Sequence, residues 1–444
     1  MYMPTSHRSA RRTAPVMAAS FIAALVTAST TAFAAEGYMQ NGIGAREKAL
    51  ADAGVANSTD ATAAALNPAG LTNVGNQLTT STSFFNLRGG FSSSGSGGVT
   101  ADGAHTSEKD WLVIPNFAAN WRVNWGVADA VALTVYGNGG VMSHYGNIPS
   151  ATCGAALGAY CAGPMGVSMN QTFISVAMAK QVAPGLSVGI APILARQTIK
   201  VDGLGSFAGL SSNAAHFTNR GTDEAWGGGV RGGIEWKVAP GVKFGVAGNT
   251  RIYMEPFSEY RGLFAQQGRI DAPATVQAGV AVDVHRNLTM MLDYKRIWFS
   301  SIAALGNTST TTGTVLFGAD NGPGFGLRDL DIFKVAMEWR ANQALTLRAG
   351  YSYNTAPFKS ADADLTTMHL GLVQHHLTAG LKVALSERID LELAGMYAPR
   401  MSLSGMELLN PNRTMYINAE QFEVTIGAVY KFGGPAREAN VPLK

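Results

Sequence analysis

The stretch "QFEVTIGAVYKF" (421–432) places Phe422, Val424, Ile426, Ala428, Tyr430 and Phe432 on one face, and Glu423, Thr425, Gly427 and Lys431 on the other. A period of two is the signature of a β-strand. The same alternation runs through "RIDLELAGMYAP" (388–399), where Ile389, Leu391, Leu393 and Tyr397 oppose Asp390 and Glu392. It returns in "ALTLRAGYSYN" (344–354), with Leu345, Leu347, Tyr351 and Tyr353 against Thr346, Arg348 and Ser352. A soluble sandwich has this period too, so periodicity alone does not choose the solvent.

Composition narrows the choice. Only 14% of the 444 residues are charged, against roughly 25% in ordinary soluble domains. The 52 glycines exceed the usual ~7%. Beyond the first 35 residues no apolar run approaches the ~18 that a membrane helix needs. Low charge, high glycine and no helical span fit a transmembrane β-barrel, whose strands meet lipid at every second residue. A net charge of +3 gives no reason to expect a nucleic-acid partner.

The joins between strands support the barrel. "KQVAPGLSV" (180–188) and "WKVAPGVKF" (236–244) are near-copies, each a Pro-Gly turn. Residues 121–131, 283–292, 338–347 and 383–391 make comparably short joins. Longer polar or Gly-rich stretches lie near 92–110, 138–166, 200–222, 256–273, 301–330, 356–374 and 399–420. Short turns alternating with long loops predict an all-β, antiparallel transmembrane barrel of about 14 strands, closed so that no edge faces hydrocarbon. Trp121, Trp125, Trp236, Trp339, Tyr351, Tyr353, Tyr397, Tyr430 and Phe432 fit interfacial girdles, although aromatics are common in strands generally. The inward positions Arg251, Asp293, Lys295, Lys334, Glu338, Arg340, Arg348, Lys382, Glu392 and Glu423 mix signs. That mixture suits either an open pore or charges that neutralise one another and a plug.

The N-terminal residues read differently. Arg8, Arg11 and Arg12 precede the apolar "PVMAASFIAALVTAS" and the small-x-small Ala32-Phe33-Ala34, the pattern of a cleaved signal peptide over residues 1–34. Residues 35–75 do not alternate. They are rich in Gly and Ala, with helix-like pieces near 45–52 and 60–66. Small side chains let backbone approach a wall closely, so this segment is expected to be a lumenal hatch of short helices rather than a tail. The turn Asn67-Pro68-Ala69-Gly70 stops the second helical piece, because proline holds the preceding residue out of the helical region. The barrel then occupies 76–432 and a short periplasmic tail 433–444. Cys153 and Cys161 are too isolated for a metal site and are expected to form a disulfide stapling one loop.

The order of signal, "GIGAREKALADAGVANSTDATAAALNPAGL" and a barrel of about 14 strands resembles the outer-membrane transporters of long-chain fatty acids and other hydrocarbons (the FadL type). "FGLRDLDIFKVAMEWRANQALTLRAGYSYNTAP" and "HHLTAGLKVALSERIDLELAGMYAP" resemble late strands of the same family. The tail beyond Phe432 departs from barrels that end on their last aromatic, and 138–270 matches only loosely. The resemblance implies passive, hatch-gated uptake of a hydrophobic small molecule by a monomer in the bacterial outer membrane, with lateral release into outer-membrane lipid. It implies no cofactor. An open wet channel would serve such cargo poorly, because a C16 chain in water faces a cost of about 12 kcal/mol. The gate motif would be Asn67, Pro68, Ala69 and Gly70. It would lie against a wall kink in the third strand at Gly137, Gly139 and Gly140.

For capture, Val141, Met142, Ile148, Met165, Val167 and Met169 are apolar where an exposed loop should be polar. Packing around the Cys153–Cys161 staple accounts for them equally well. A carboxylate cargo would want one of Arg196, Lys200, Arg220 or Arg251. The alternative is a general diffusion porin for small hydrophilic solutes. An enzyme is disfavoured, since His369, His375 and His376 lack a recognisable nucleophile motif. Asp362 and Asp364 lack the rest of a calcium loop.

Overall fold

The computed structural model describes residues 36–433. The expected signal peptide, and the tail beyond Gly433, lie outside them. The strands are β1 (Gln77–Gly95), β2 (Gly103–Thr106), β3 (Trp111–Arg122), β4 (Ala130–Tyr145), β5 (Met165–Ala183), β6 (Leu186–Asp202), β7 (Asp223–Ala239) and β8 (Val242–Asn249). They continue as β9 (Tyr253–Met254), β10 (Thr275–His285), β11 (Leu288–Ile297), β12 (Leu330–Arg340), β13 (Leu345–Asn354), β14 (His375–Ala384), β15 (Ile389–Glu407) and β16 (Asn410–Lys431). Neighbours pair antiparallel, and β1 pairs β16 from Gln77↔Lys431 to Gly95↔Arg413, which closes the sheet. The short β2 and β9 are side branches on β1 and β7. The wall therefore has the expected 14 strands.

The orientation of the alternation identifies the solvent. On β16 the apolar face is the outside one: Phe422, Ile426 and Tyr430 are 44%, 54% and 45% exposed, while Glu423 and Thr425 are 3% and 1% exposed. A soluble sandwich would bury the first set and wet the second. Here the outer surface needs hydrocarbon, and the polar interior needs something to fill it. Trp121, Trp125, Trp236, Trp339 and Tyr430 are exposed toward the short-turn end, where an interfacial belt belongs. Tyr397 is exposed farther up, and Tyr351, Tyr353 and Phe432 are half-buried.

All six short joins are turns, but the long loop expected at 399–420 is not there. Strand β15 continues to Glu407 and β16 starts at Asn410, so two residues make the turn. Outward serines and threonines (Ser402, Ser404, Thr414) hide the alternation, yet Met415 and Ile417 are fully buried on the inner side. Likewise 138–166 is loop only between Tyr145 and Met165.

Inside the barrel lies the hatch: α1 (Gly44–Ala49), α2 (Ala63–Leu66) and a 3₁₀ turn over Pro68–Asn73. Every residue of the two helices is buried. Wall glycines receive the hatch. A Cβ at Gly245 would overlap the Val55 carbonyl, and one at Gly380 would sit 2.5 Å from Ala49 Cβ.

Substituting Ile426→Arg, at mid-height on the lipid face, should cost about 2–4 kcal/mol in refolding into liposomes followed by urea titration. Ser402→Arg, above the apolar band, should cost at most about 1 kcal/mol.

Candidate functional site

Buried charge seats the hatch. Lys334 Nζ lies 2.6 Å from Glu36 and 2.8 Å from Asp52. Lys295 lies 2.7 Å and 3.3 Å from the same two carboxylates. Lys48 meets Glu423 at 2.6 Å, and Arg348 bridges Glu338 and Glu392 at 2.8 Å each. Asp293 accepts the Gly54 and Val55 N–H groups at 3.0 Å. The lumenal charges thus neutralise one another and the plug. Three of the inward positions depart from this pattern. Arg251 lies in the loop after β8 and pairs with Asp271, Arg340 is exposed at a turn, and Lys382 is half-exposed beside Asp390. Within the hatch, burial pushes the Glu47 carboxyl up to about 7, against the pull of the neighbouring Arg46.

Asn67 is fully buried. Its side-chain amide donates to the Val55 carbonyl at 2.7 Å and to the Ile234 carbonyl of β7 at 3.0 Å. Its Oδ1 accepts the Ala69 N–H at 3.1 Å, capping the 3₁₀ turn. Cβ atoms at Gly189 of β6 or Gly233 of β7 would overlap Pro68-Ala69 or the Asn67 amide. The Asn-Pro-Ala-Gly turn therefore seats on β5–β7, with Gly70 against Ser58 and Glu235. This corrects the sequence reading, which laid it against the third-strand glycines.

Those glycines hold a different part of the hatch. The pairing of β4 with β5 shifts between Gly137 and Gly139, leaving Asn138 as a bulge. The Gln40 N–H donates to the Asn138 carbonyl at 3.1 Å, and the Gly140 N–H to the Tyr38 carbonyl at 2.9 Å. The Gln40 side chain donates to the Gly137 carbonyl. A Cβ at Gly139 would overlap the Tyr38 carbonyl. The ladder of β3 with β4 ends at Asn116↔Tyr136. Above it β3 still pairs β1 up to Asn86↔Trp111, while β4 pairs only β5 and the hatch. The wall closes again where the Glu108 N–H meets the His144 carbonyl at 2.8 Å. Pro115 and Val113 border this window, and a proline with no N–H to donate suits an unpaired edge.

Two chambers flank the hatch tip. The inner one is lined by Met39, Gln40, Tyr136, Asn138, Arg231 and Lys295 among others, so it reaches the foot of the window. The outer one lies among the long loops. Its walls include Phe207, Phe217, Phe317 and Phe325, with Leu365 and Met368 from α3 (Ala363–His369). No charged side chain lines it.

The capture residues expected from sequence are elsewhere. Val141 and Met142 are on β4 and Met165, Val167 and Met169 on β5; all five are buried, and Ile148 alone is in the loop. Because β4 and β5 extend beyond the membrane as paired strands, Val141, Met165, Val167 and Met169 pack on one face of the pair and Met142 on the other, none of them an exposed surface. The phenylalanines that do line a chamber sit in Gly- and Ser-rich segments such as "LGSFAGL" and "GPGFG". Large aromatics in segments too polar to be strands were the signal available.

Cys153 and Cys161 are bonded to each other. Their loop carries Tyr160, whose hydroxyl donates to Asp364 Oδ1 at 2.9 Å. The other Asp364 oxygen accepts the Leu408 N–H at 2.8 Å. Burial pushes the Asp364 carboxyl up to about 6 and the Tyr160 phenol up as well. His375 lies against Tyr351 and Tyr353, His376 beside Ser352, and His369 on α3, so the three histidines do not converge. Asp362 accepts the Thr308 hydroxyl at 2.7 Å and the Ser309 N–H at 2.8 Å. Among the described residues no cluster has metal-ligand geometry.

Lys334→Met leaves Glu36 and Asp52 to share one cation, which should cost about 3–5 kcal/mol of hatch stability. Faster hydrogen exchange over 36–75 and increased arabinose flux into proteoliposomes are the expected readouts. Asp364 holds its proton more tightly folded than unfolded. Its contribution to the loop cap is therefore greatest at low pH, and falls by about 2–3 kcal/mol as pH rises from about 4 to 6. Hydrogen exchange over 150–165 and 360–372 should accelerate through that window, and Asp364→Asn should flatten the dependence.

A sequence model described as outer membrane protein transport protein (OMPP1/FadL/TodX) matches residues 23–367. The Pseudomonas putida toluene transporter TodX superposes with a TM-score of 0.67 at 16% identity, over 89% of this chain and 100% of that one. A Pseudomonas aeruginosa FadL homologue gives 0.64 at 15%, over 89% and 100%. The Ralstonia pickettii toluene transporter TbuX gives 0.61 at 17%, over 88% and 99%. No curated protein matches the sequence. At these identities the structures speak for the fold. The sequence match, over most of the chain, makes this barrel with its seated hatch a member of the outer-membrane transport protein family (OMPP1/FadL/TodX).

Proposed function

We propose that the protein is a passive outer-membrane channel for uncharged hydrocarbons, which enter through the outer chamber and leave sideways through the β3–β4 window. The interruption of the ladder above Asn116↔Tyr136, beside a chamber and above a plugged lumen, carries this reading. Hydrocarbon gains about 25 cal/mol for each Å² taken from water, so a phenylalanine-lined cavity draws it from solution. Below, the hatch with its ion pairs blocks a straight aqueous path. Displacing Tyr38–Gln40 from the β4 bulge would join the inner chamber to the window. There the cargo meets lipid instead of periplasmic water, and no energy source is required. Asn67-Pro68-Ala69-Gly70 serves as the fixed seat against which the tip moves.

The absence of charge around the outer chamber favours a neutral cargo over a fatty-acid carboxylate. The cations considered for a carboxylate are engaged elsewhere: Arg196 with Glu224, Lys200 with Asp202, Arg220 with Glu259 and Arg251 with Asp271. Two of the similar structures are named toluene transporters, which agrees with this class. The closed sheet acts as a monomer surrounded by outer-membrane lipid.

The test is uptake of radiolabelled toluene by cells with an intact outer membrane and no other hydrocarbon channel. The full chain should raise uptake well above the vector control. Deleting Asn138 removes the bulge and should return uptake to near that control, while heat-modifiable migration shows an assembled barrel. Unchanged uptake would sink the lateral route. Rapid arabinose flux without toluene uptake would favour a general porin.

A further inference from the structure

His369 is the one feature of the outer-chamber region that the transport reading leaves unused. It ends α3, on the same side of the helix as the chamber residues Leu365 and Met368. Its ring centroid lies 5.9 Å from that of Phe325, itself a chamber wall, and 5.2 Å from that of Phe358. The residue is 3% exposed. It also borders the hatch tip. A Cβ at Gly371 would sit 2.5 Å from the Gly37 carbonyl and 2.6 Å from the imidazole. Gly37 is followed by Tyr38, whose ring packs on Phe299 at 5.4 Å.

The imidazole is half satisfied. Nδ1 accepts the Gly371 N–H at 3.2 Å, which places the ring hydrogen on Nε2. Nε2 has no hydrogen-bond partner among the described residues. A buried donor without an acceptor is costly, and native structures rarely keep one without a reason. Protonation does not relieve it, since burial pushes the imidazole down to about 3. His369 does not itself line the outer chamber; it sits beside the chamber residues Phe325 and Met368, on the side toward Gly37 of the hatch, with one uncharged N–H donor unused.

We propose that oxygenated hydrocarbons are held where the outer chamber adjoins the hatch tip, and that the His369 Nε2–H selects them by donating to a ketone, aldehyde or ester oxygen. This rests on reading the chamber as the capture site. A carboxylate would fit worse: it would carry full charge among phenylalanines, on the helix that already buries Asp364. An alkyl group of the same shape fills the space but leaves the donor unpaired.

Equilibrium binding to the purified full-length protein, with acetophenone, cumene and benzoate as probes, tests this. Cumene and acetophenone are close in shape and differ in the carbonyl. Referred to its partition into alkane, acetophenone should bind roughly tenfold tighter than cumene, with benzoate weaker than acetophenone. His369→Phe should lower acetophenone affinity roughly tenfold and leave cumene unchanged. His369→Gln, which keeps an N–H donor, should retain much of the preference. Equal referred affinity of the wild-type protein for acetophenone and cumene overturns the proposal, whether or not the variants assemble. Equal losses for both probes in His369→Phe also overturn it, by assigning His369 a packing role. If neither neutral probe binds, the capture reading fails with it.

Discussion

A strand wall in hydrocarbon must satisfy every backbone N–H and C=O within itself, and most of this molecule follows from that constraint. It requires the β1–β16 pairing that closes the sheet. With a period of two, it also sends every second side chain inward. A wall that is apolar outside is free to be charged inside, and this one carries Asp293, Lys295, Lys334, Glu338, Arg348, Glu392 and Glu423 there. Those charges need partners, and the hatch supplies them with Glu36, Arg46, Lys48 and Asp52. The plug is therefore a counter-ion to the barrel as much as an obstruction in it.

The same constraint gives meaning to the break between β3 and β4. Unpaired backbone on a lipid-facing wall is tolerated only where something else takes up the hydrogen bonds. Here the hatch tip does, since Tyr38 and Gln40 bond the carbonyls and N–H groups that the Asn138 bulge turns inward. The opening and its cover are one hydrogen-bonded unit. Glycine at 139 is required because the Tyr38 carbonyl occupies the position of a Cβ.

What sequence reveals and what it hides follow the range of each interaction. The alternation on β16 is local, so it is legible residue by residue, as are the Pro-Gly turns at 183–185 and 239–241. Asn67 reads correctly as a helix stop. Its seat does not, because the deciding contacts are glycines 189 and 233, more than a hundred residues away. The β15–β16 hairpin hides because its outward face turns from apolar to serine and threonine where it leaves the membrane. The outer chamber hides most completely. Phe207, Phe217, Phe317 and Phe325 come from two separate loops, and none has a periodicity that would have joined them.

On the proposed route, the division of labour within the hatch decides whether the tip can move without unseating the plug. Glu36 is pinned by two lysines, and α1 by Arg46 and Lys48. Between these anchors Tyr38–Asn41 forms a short bridge, flanked by Gly37 at φ 72° and Gly42 at φ 92°. Those conformations are accessible to glycine at little steric cost. The bridge holds β4 chiefly through three hydrogen bonds, each worth about 1 kcal/mol net, whereas removing one partner of a buried ion pair costs about 3–5 kcal/mol. Opening the tip is then a small local event set inside a much stronger frame. Cargo arriving past His369 needs to supply only that smaller amount, and the ion pairs that keep the lumen closed to water need not break.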